Sequence, residues 1–274
     1  MALHLDARQR AMLAEMGVRV FLPESNAAPA PPLAMPLAAP TAIPMAAPAA
    51  TPALPLVRVQ ADALSWPDLQ SAVAACRACP LCDSRRNTVF GVGGPATDAA
   101  AAPTVDWLVV GEAPGENEDL QGEPFVGQAG KLLDLMLKTM SLTRKPVPDS
   151  KLRLRVYIVN VLKCRPPMNR NPEPGEIAQC EPYLKRQIAL LQPRIILAMG
   201  RFAIQTLLAP SVPGVHTAAV GTLRGKVHHY EGVPVVATYH PSYLLRSPHE
   251  KAKAWADLCL AMDVFEGLGD ASRH

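Results

Sequence analysis

The sequence lacks charge over a long stretch and, within it, lacks any uninterrupted apolar run. No charged residue occurs from Ser25 to Val57, and ten of the 29 prolines lie between Pro23 and Pro55. Because closely spaced prolines prevent a continuous helix, this stretch is neither a transmembrane span nor a core element and is typical of an extended linker. The N-terminal residues also lack the apolar segment of a signal peptide, so we expect a cytoplasmic protein that contacts no membrane.

The chain also lacks a large excess of either charge. Its 27 Lys and Arg against 24 Asp and Glu give a net charge of +3, which excludes a strongly basic nucleic-acid binder but leaves room for a local basic patch. With 49% hydrophobic residues over 274 positions, the chain can bury a sizeable core, so a wholly disordered protein is excluded.

Composition divides the chain into four segments. Residues 1–22 contain a short amphipathic helix with no neighbouring core, which we expect to dock on a protein partner; a frayed tail is the alternative. Residues 23–60 are the Pro/Ala-rich disordered linker, residues 61–268 the main domain and residues 269–274 a tail.

Strand and helix patterns alternate in the main domain. Short apolar runs predict strands at Trp107–Val110, Val156–Val161, Arg194–Met199 and Val233–Tyr239. Helical periodicity occurs at Ala129–Met140, Glu176–Leu191, Arg201–Leu208 and His249–Phe265. This alternation predicts an α/β fold with a mostly parallel sheet covered on both faces, and ligands bind such sheets beyond the carboxyl ends of the strands.

The loop after the first strand, from Gly111 to Gly130, is rich in glycine and carboxylates. It has neither the GxGxxG pattern nor the GK[ST] ending of a phosphate-binding loop. Carboxylates such as Glu112 and Glu118 would repel a phosphate and instead suit activation of a water molecule or a metal. A solvated acidic turn is the alternative.

The loop after the second strand combines an amide with cations. Asn160 lies in an otherwise apolar strand, where an unpaired amide costs about 1–3 kcal/mol, so either the fold satisfies it or it faces a ligand such as a nucleobase edge. Lys163, Arg165 and Arg170 follow in a proline-rich segment, where they are candidates for contacts with DNA phosphates or form an exposed basic loop.

The loop after the last predicted strand pairs a histidine with an apolar tip. His240 is followed by Tyr243, Leu244 and Leu245, and then by Arg246. Such a tip can insert between stacked bases while the arginine holds the DNA backbone. A histidine at a strand end is alternatively a packed core residue.

Four of the six cysteines fall into two pairs: Cys76 with Cys79, and Cys164 with Cys180. In a reducing compartment such thiols are metal ligands or inert, and four of them suit zinc or a [4Fe-4S] cluster. Zinc ribbons usually pair two C-x2-C knuckles, and the second pair here is widely spaced, which favours the cluster. Cys82 is a substitute ligand, and we expect Cys259 to be a buried apolar residue.

Several motifs in a fixed order resemble family 4 uracil-DNA glycosylases: CRACP, TVFG, GEAPGENED, GEPFVGQAG, NVLKCRPPMNRNP and HPSYLLR. The resemblance covers roughly Leu64 to Phe265. It implies a three-layer α/β/α fold and a monofunctional DNA repair enzyme with a [4Fe-4S] cluster. Such an enzyme flips uracil out of DNA and hydrolyses its N-glycosidic bond, leaving an abasic site. We therefore expect a monomer that works at the nucleoid.

The resemblance also assigns roles to residues. It gives the cluster four ligands: Cys76, Cys79, Cys164 and Cys180. Phe125 would stack on the flipped uracil, Asn160 would read its pyrimidine edge, and His240 would donate a hydrogen bond to O2 of the departing base. Leu244, flanked by Tyr243, would hold open the gap in the duplex.

A carboxylate must orient the attacking water in such an enzyme. Other glycosylases of the superfamily carry Asp two residues after the glycine of this loop, where the present chain has Ala113, so we expect Glu112 to take the role, with Glu118 second. Gly115 stands where those relatives place a tyrosine that excludes thymine. Rejection of the thymine methyl group must then come from elsewhere, from Glu118 or Phe125.

Two other functions stay open from the sequence. One is a related protein that retains uracil covalently through a histidine in the loop after Cys164, although that loop, PPMNRNPEPGE, contains none. The other is a noncatalytic, cluster-bearing module that binds DNA or associates with a polymerase. Single-stranded and double-stranded uracil-containing DNA are both candidate substrates.

Overall fold

The computed structural model describes residues 60–94, 104–145 and 155–271. The N-terminal helix and nearly all of the Pro/Ala-rich linker lie outside these residues, so the expected docking of that helix stays a prediction. No helix in the described ranges is long and apolar enough to cross a membrane.

The described strands are β1 (Val92–Gly93), β2 (Trp107–Gly111), β3 (Val156–Asn160), β4 (Ile195–Met199), β5 (Val227–Tyr230) and β6 (Val233–Thr238). The helices are α1 (Trp66–Ala75), α2 (Leu81–Ser84), α3 (Glu116–Gln121), α4 (Gln128–Thr139), α5 (Pro174–Leu191), α6 (Arg201–Leu208), α7 (Val220–Leu223), α8 (Pro241–Arg246) and α9 (Lys251–Ala271). Short 3₁₀ turns lie at Pro167–Asn169 and Pro248–Glu250.

The strands form one six-stranded sheet in the order β1-β3-β2-β4-β6-β5. The four central strands are parallel, and the two edge strands, β1 and β5, are antiparallel to their neighbours. The chain runs from β2 outward to β3 and then returns to β4 on the other side of β2. The direction of winding therefore reverses between β2 and β4, which is the position where α/β sheets bind ligands.

Two apolar clusters lie on the two faces of the sheet. On one face Leu108 and Val110 of β2 pack with residues of α1, α5 and α6. On the other face Trp107 and Val109 pack with residues of α4, α8 and α9. Because side chains alternate along a strand, β2 contributes residues to both clusters. The expected three-layer α/β/α fold is confirmed.

Element boundaries follow local chemistry. Helix α1 begins after Ser65, whose side-chain oxygen accepts a hydrogen bond from the Asp68 N–H. Helix α5 begins at Pro174, two residues before the expected start, because proline suits the first helical turn and Glu176 caps the Glu173 N–H. The last helix continues to Ala271, past the residue where we expected the tail to begin.

Candidate active-site cleft and thiol pocket

A cleft of about 890 Å³ lies at the carboxyl ends of the central strands and is lined by residues of all three loops identified from the sequence. This volume is within the usual range for small-molecule sites. The sequence-predicted residues that line it are Glu112, Glu118, Phe125, Asn160, Arg170, His240, Tyr243 and Arg246.

Gly111, the last residue of β2, lets Phe125 and Asn160 pack against the end of that strand. A methyl group at Gly111 would lie 2.4 Å from Asn160 Oδ1 and 2.5 Å from the Phe125 ring. Phe125 itself has a φ of 55°, a left-handed conformation that is strained for an aromatic residue. The Oδ1 atom of Asn160 is buried without a hydrogen-bond partner in the described chain. The amide therefore keeps an open acceptor where it borders the cleft.

His240 is a neutral imidazole with a defined tautomer. Burial, together with the positive charge of Arg246, lowers the pKa of His240 to about 4. The Ser242 N–H donates to Nδ1 at 3.2 Å, so Nδ1 is an acceptor and the ring proton resides on Nε2. The ring stacks on Phe125 with 5.4 Å between the ring centroids. His240 thus offers one N–H donor beside the aromatic ring.

Glu112 follows β2 directly, in the cleft. Burial raises its pKa to about 7, against the opposing influence of the guanidinium groups of Arg201 and Arg246. A carboxyl group with this pKa exchanges its proton near neutral pH, which suits a general base.

The carboxylate of Glu118 is hydrogen-bonded to main-chain N–H groups of its own loop. Its carboxylate accepts hydrogen bonds from the N–H groups of Gly115 at 3.1 Å, Val126 at 2.9 Å and Gly127 at 3.0 Å. These contacts join the start of α3 to the start of α4, on either side of Phe125. The Glu118 carboxylate therefore supports the conformation of this loop and is not free to orient the attacking water.

Two of the residues expected to contact DNA are buried. Lys163 is only 1% exposed, because the chain turns inward after β3, and its ammonium donates to the Asn160 main-chain oxygen at 2.7 Å. Leu244 is likewise 1% exposed and belongs to the apolar cluster under α4 and α9. In helix α8 it is the neighbours Tyr243 and Leu245 that are exposed, at 36% and 44%.

The other basic residues of the loop after β3 have carboxylate neighbours. Arg170 makes two hydrogen bonds to the buried carboxylate of Glu176, at 2.6 and 3.0 Å. Arg165 donates to Asn169 Oδ1 and lies 3.8 Å from Glu116. Sequence analysis missed Arg201, which also lines the cleft. The signal was available, since Arg201 is the second residue after the predicted strand Arg194–Met199, whose carboxyl end lies on the ligand-binding side of the sheet.

A separate pocket brings together five of the six cysteines: Cys76, Cys79, Cys82, Cys164 and Cys180. Cys76 caps the end of α1, Cys79 lies in the segment between α1 and α2, Cys82 lies in α2, Cys164 in the loop after β3 and Cys180 in the middle of α5. No three described His, Cys, Asp or Glu side chains are close enough together to hold a single metal ion. Cys259, expected to be buried, lies on α9 and is partly exposed.

Two cations face the thiols. Arg85 donates to Cys164 Sγ at 3.1 Å and to the main-chain oxygens of Ala74 and Cys76. Lys163 also lines the pocket, where no carboxylate occurs among the described lining residues. Burial raises the pKa of the Cys180 thiol to about 12. A metal that binds there must displace the thiol proton. An all-sulfur donor set beside fixed positive charge fits an anionic iron–sulfur cluster.

The fold and the cleft together define an α/β/α protein whose ligand site suits a planar, hydrogen-bonding ring. A family model of the uracil DNA glycosylase superfamily matches residues 99–259. Among curated relatives, the chain is 39% identical to a type-4 uracil-DNA glycosylase of Archaeoglobus fulgidus, over 70% of this chain and 89% of the relative. It is also 39% identical to the type-4 enzymes of Sulfurisphaera tokodaii, over 66% and 76%, and Thermotoga maritima, over 64% and 80%. The chain therefore belongs to the uracil-DNA glycosylase superfamily and, within it, to the type-4 family.

Proposed function

We propose that this protein removes uracil from DNA by hydrolysing the bond between the base and its deoxyribose, which leaves an abasic site for base excision repair. The observation that carries the proposal is the meeting of Glu112, Phe125, Asn160 and His240 in one cleft, although they come from the ends of three different strands or the loops that follow them. The type-4 relatives carry the name of the same activity.

Phe125 and Asn160 supply recognition of the base. The Phe125 ring offers a stacking surface that a base can reach only after it has left the duplex. The open Oδ1 of Asn160 can accept the N3–H of uracil, while its amide N–H donates to O4. Cytosine presents a donor where uracil has O4, so the same amide would discriminate against it.

His240 and Glu112 act on the charges that develop during cleavage. As the bond breaks, negative charge collects on the uracil and positive charge on the sugar. The Nε2–H of His240 donates to O2 of the departing base, and the imidazole stays neutral because its pKa is far below neutral pH. Glu112, once ionised, orients the attacking water and offsets the charge of the sugar. Glu118 positions the Phe125 loop.

DNA would meet the rim of this cleft. Arg201 and Arg246 line the cleft beside Glu112 and are exposed, so they can contact phosphates flanking the flipped nucleotide. Tyr243 and Leu245 take the place of Leu244 as the exposed apolar residues that enter the gap left in the stack.

The thiol pocket would hold a [4Fe-4S] cluster on Cys76, Cys79, Cys164 and Cys180. When bound, the cluster would supply a covalent cross-link among α1, α5 and the loop after β3. Arg85 keeps the first and third of these segments in register through its bonds to Cys76 and Cys164. Cys82 also lines the pocket and is the substitute ligand.

The test is release of uracil by the purified protein. Single-stranded and double-stranded oligonucleotides with one uracil, and matched thymine controls, are incubated with the protein, and abasic sites are then cleaved with alkali. We expect strand cleavage at uracil only. DNA binding without any uracil release would instead support the noncatalytic module, and uracil that stays attached to the protein would support covalent retention.

A further inference from the structure

Lys163 connects the two sites of the molecule. Its side chain is buried, and its ammonium donates to the main-chain oxygen of Asn160 at 2.7 Å. The same residue lines the thiol pocket, and its main-chain N–H donates to Cys180 Sγ at 3.3 Å. One residue therefore contacts both the strand end that carries the base-reading amide and a proposed cluster ligand.

The buried ammonium needs a negative partner. Among the described residues, no ion pair joins Lys163 to a carboxylate, and its ammonium donates to the neutral Asn160 carbonyl. An unpaired buried charge is strongly unfavourable. Four thiolates that hold an iron–sulfur cluster carry more negative charge than the cluster core offsets, so the loaded pocket is an anion. Cys180, whose Sγ accepts the Lys163 main-chain N–H at 3.3 Å, and Cys164, the next residue in the chain, line the pocket with Lys163.

The chain between the two sites is short, and hydrogen bonds hold it to the end of β2. From Asn160 to Cys164 it passes from the cleft to the thiol pocket in four residues. On the way, the Val161 N–H donates to the Gly111 oxygen at 3.0 Å and the Leu162 N–H to the Glu112 oxygen at 3.1 Å. A shift of this segment would therefore move Asn160 and Glu112 together.

We propose that Lys163 is a positioning residue that couples the loaded cluster to uracil recognition. Its ammonium is the counter-charge of the cluster, and the same group fixes the Asn160 main chain at the end of β3. The inference rests on the proposed function. Lys163 would contribute in two ways. Its hydrogen bond to Asn160 would raise the rate of uracil release, and its positive charge would raise the reduction potential of the cluster.

Two variants distinguish these contributions. Lys163→Met removes both the donor and the charge, and Lys163→Gln keeps a donor one bond shorter while it removes the charge. Lys185→Met is the matched control, since Lys185 is half-exposed and its ammonium pairs with Glu181 on the surface of α5. For each holoprotein we would measure iron per chain, the reduction potential by voltammetry, single-turnover uracil release per loaded cluster, and affinity for abasic product DNA.

We expect Lys163→Met to release uracil about 10–100-fold more slowly per cluster, as is typical when a supporting residue of a metal site is lost. Product affinity should be unchanged. Lys163→Gln should recover part of the rate, and both variants should show a lower reduction potential than the parent, because loss of a nearby positive charge disfavours the added electron. Lys185→Met should match the parent in every measurement.

Three outcomes would overturn the coupling. One is a parent rate and a parent potential in Lys163→Met. Another is a rate that falls only in proportion to lost iron, since Lys163 would then serve cluster assembly alone. The third is failure of both variants to load iron. If the parent protein itself releases no uracil, it is the proposed function that fails, whereas an active parent with an unaffected Lys163→Met variant refutes the coupling alone.

Discussion

The cleft and the thiol pocket differ in how firmly their functional groups are held. In the cleft, Asn160 Oδ1 lacks a partner, and Phe125 keeps a strained backbone conformation. In the thiol pocket, Gln179 Nε2 also lacks a partner in the described chain, but both cations are held, Arg85 by three hydrogen bonds and Lys163 by the Asn160 oxygen. Backbone strain at a ring that would stack on a ligand is typical of an active site that exchanges its ligand. Cations that are fixed by hydrogen bonds suit a site that holds its ligand permanently. The two regions should therefore respond differently to substitution.

Loss of a ligand thiol should have the largest effect, because the protein would then lose the cluster that it otherwise holds permanently. We expect Cys164→Ala to purify without the brown colour of the parent and without uracil-releasing activity, since the cluster would no longer cross-link the segment that carries Asn160. Visible absorbance and iron analysis measure the result. Cys82→Ala and Cys259→Ala are the controls and should stay coloured. Stoichiometric zinc without iron in anaerobically prepared parent protein would contradict the prediction.

In the cleft, His240→Ala should give the next largest effect. Single-turnover uracil release should slow by a factor of about 10²–10³, the usual loss when one donor to a developing anion is removed. Binding of abasic product DNA should change little, because the donor acts on charge that develops only during cleavage. A variant that releases uracil at the parent rate would show that His240 only packs against Phe125.

Glu112 should set the pH dependence of the parent rate. Since its pKa is raised to about 7, the carboxyl is protonated below that pH and the ionised, water-orienting form increases above it. The rate should therefore rise with pH through about 7 and then level off. His240, with a pKa of about 4, should add no inflection between pH 5 and 8.

The Glu112→Gln variant should be slow and should lose this inflection. Glu118→Gln is the comparison, because its carboxylate is bonded to three main-chain N–H groups. It should keep the inflection near pH 7 even if the rate falls. The reverse pattern, with the inflection lost only in Glu118→Gln, would transfer the water-orienting role to the second carboxylate.

Most of the central fold was predictable from the sequence, and the edge strands were not. The four parallel strands are buried on both faces and are short apolar runs in the sequence. Strand β1 has two residues, and the sequence of β5, VHHY, is polar and partly exposed because it lies at an edge. Periodicity does not reveal such strands. The thiol set was predictable because ligand chemistry restricts the residue type.

Side-chain direction was the part of the site that sequence reasoning could not supply. Lys163 was expected on the surface because it lies among arginines, but the turn after β3 points it inward. In the same way, Leu244 and Leu245 are chemically alike, and only the rotation of α8 on the sheet decides which of them is buried. Arg85 had no sequence signal, because its role depends on a sulfur atom that lies 79 residues away.

Leu244→Ala and Leu245→Ala test that rotation directly. Leu244→Ala should lower the free energy of unfolding by about 2–5 kcal/mol, as expected for a buried leucine, measured by denaturant titration. Leu245→Ala should leave stability unchanged and slow release mainly from base-paired uracil, with little effect on single strands, where no stack must be opened. A destabilised Leu245→Ala with a stable Leu244→Ala would contradict the orientation of α8.

The smallest effect should come from Arg246 at the rim, and salt dependence should reveal it. Each phosphate that a protein neutralises contributes about one to the slope of log affinity against log salt. Arg246 is exposed, so Arg246→Met should reduce that slope by about one while affinity at high salt changes little. Arg170→Met is the matched comparison. The Arg170 guanidinium is already bonded to the buried Glu176 carboxylate, so it should contribute less to the slope than Arg246 does. Equal reductions in both variants, from DNA-binding titrations at several salt concentrations, would show that DNA displaces the carboxylate and that Arg170 is a phosphate contact after all.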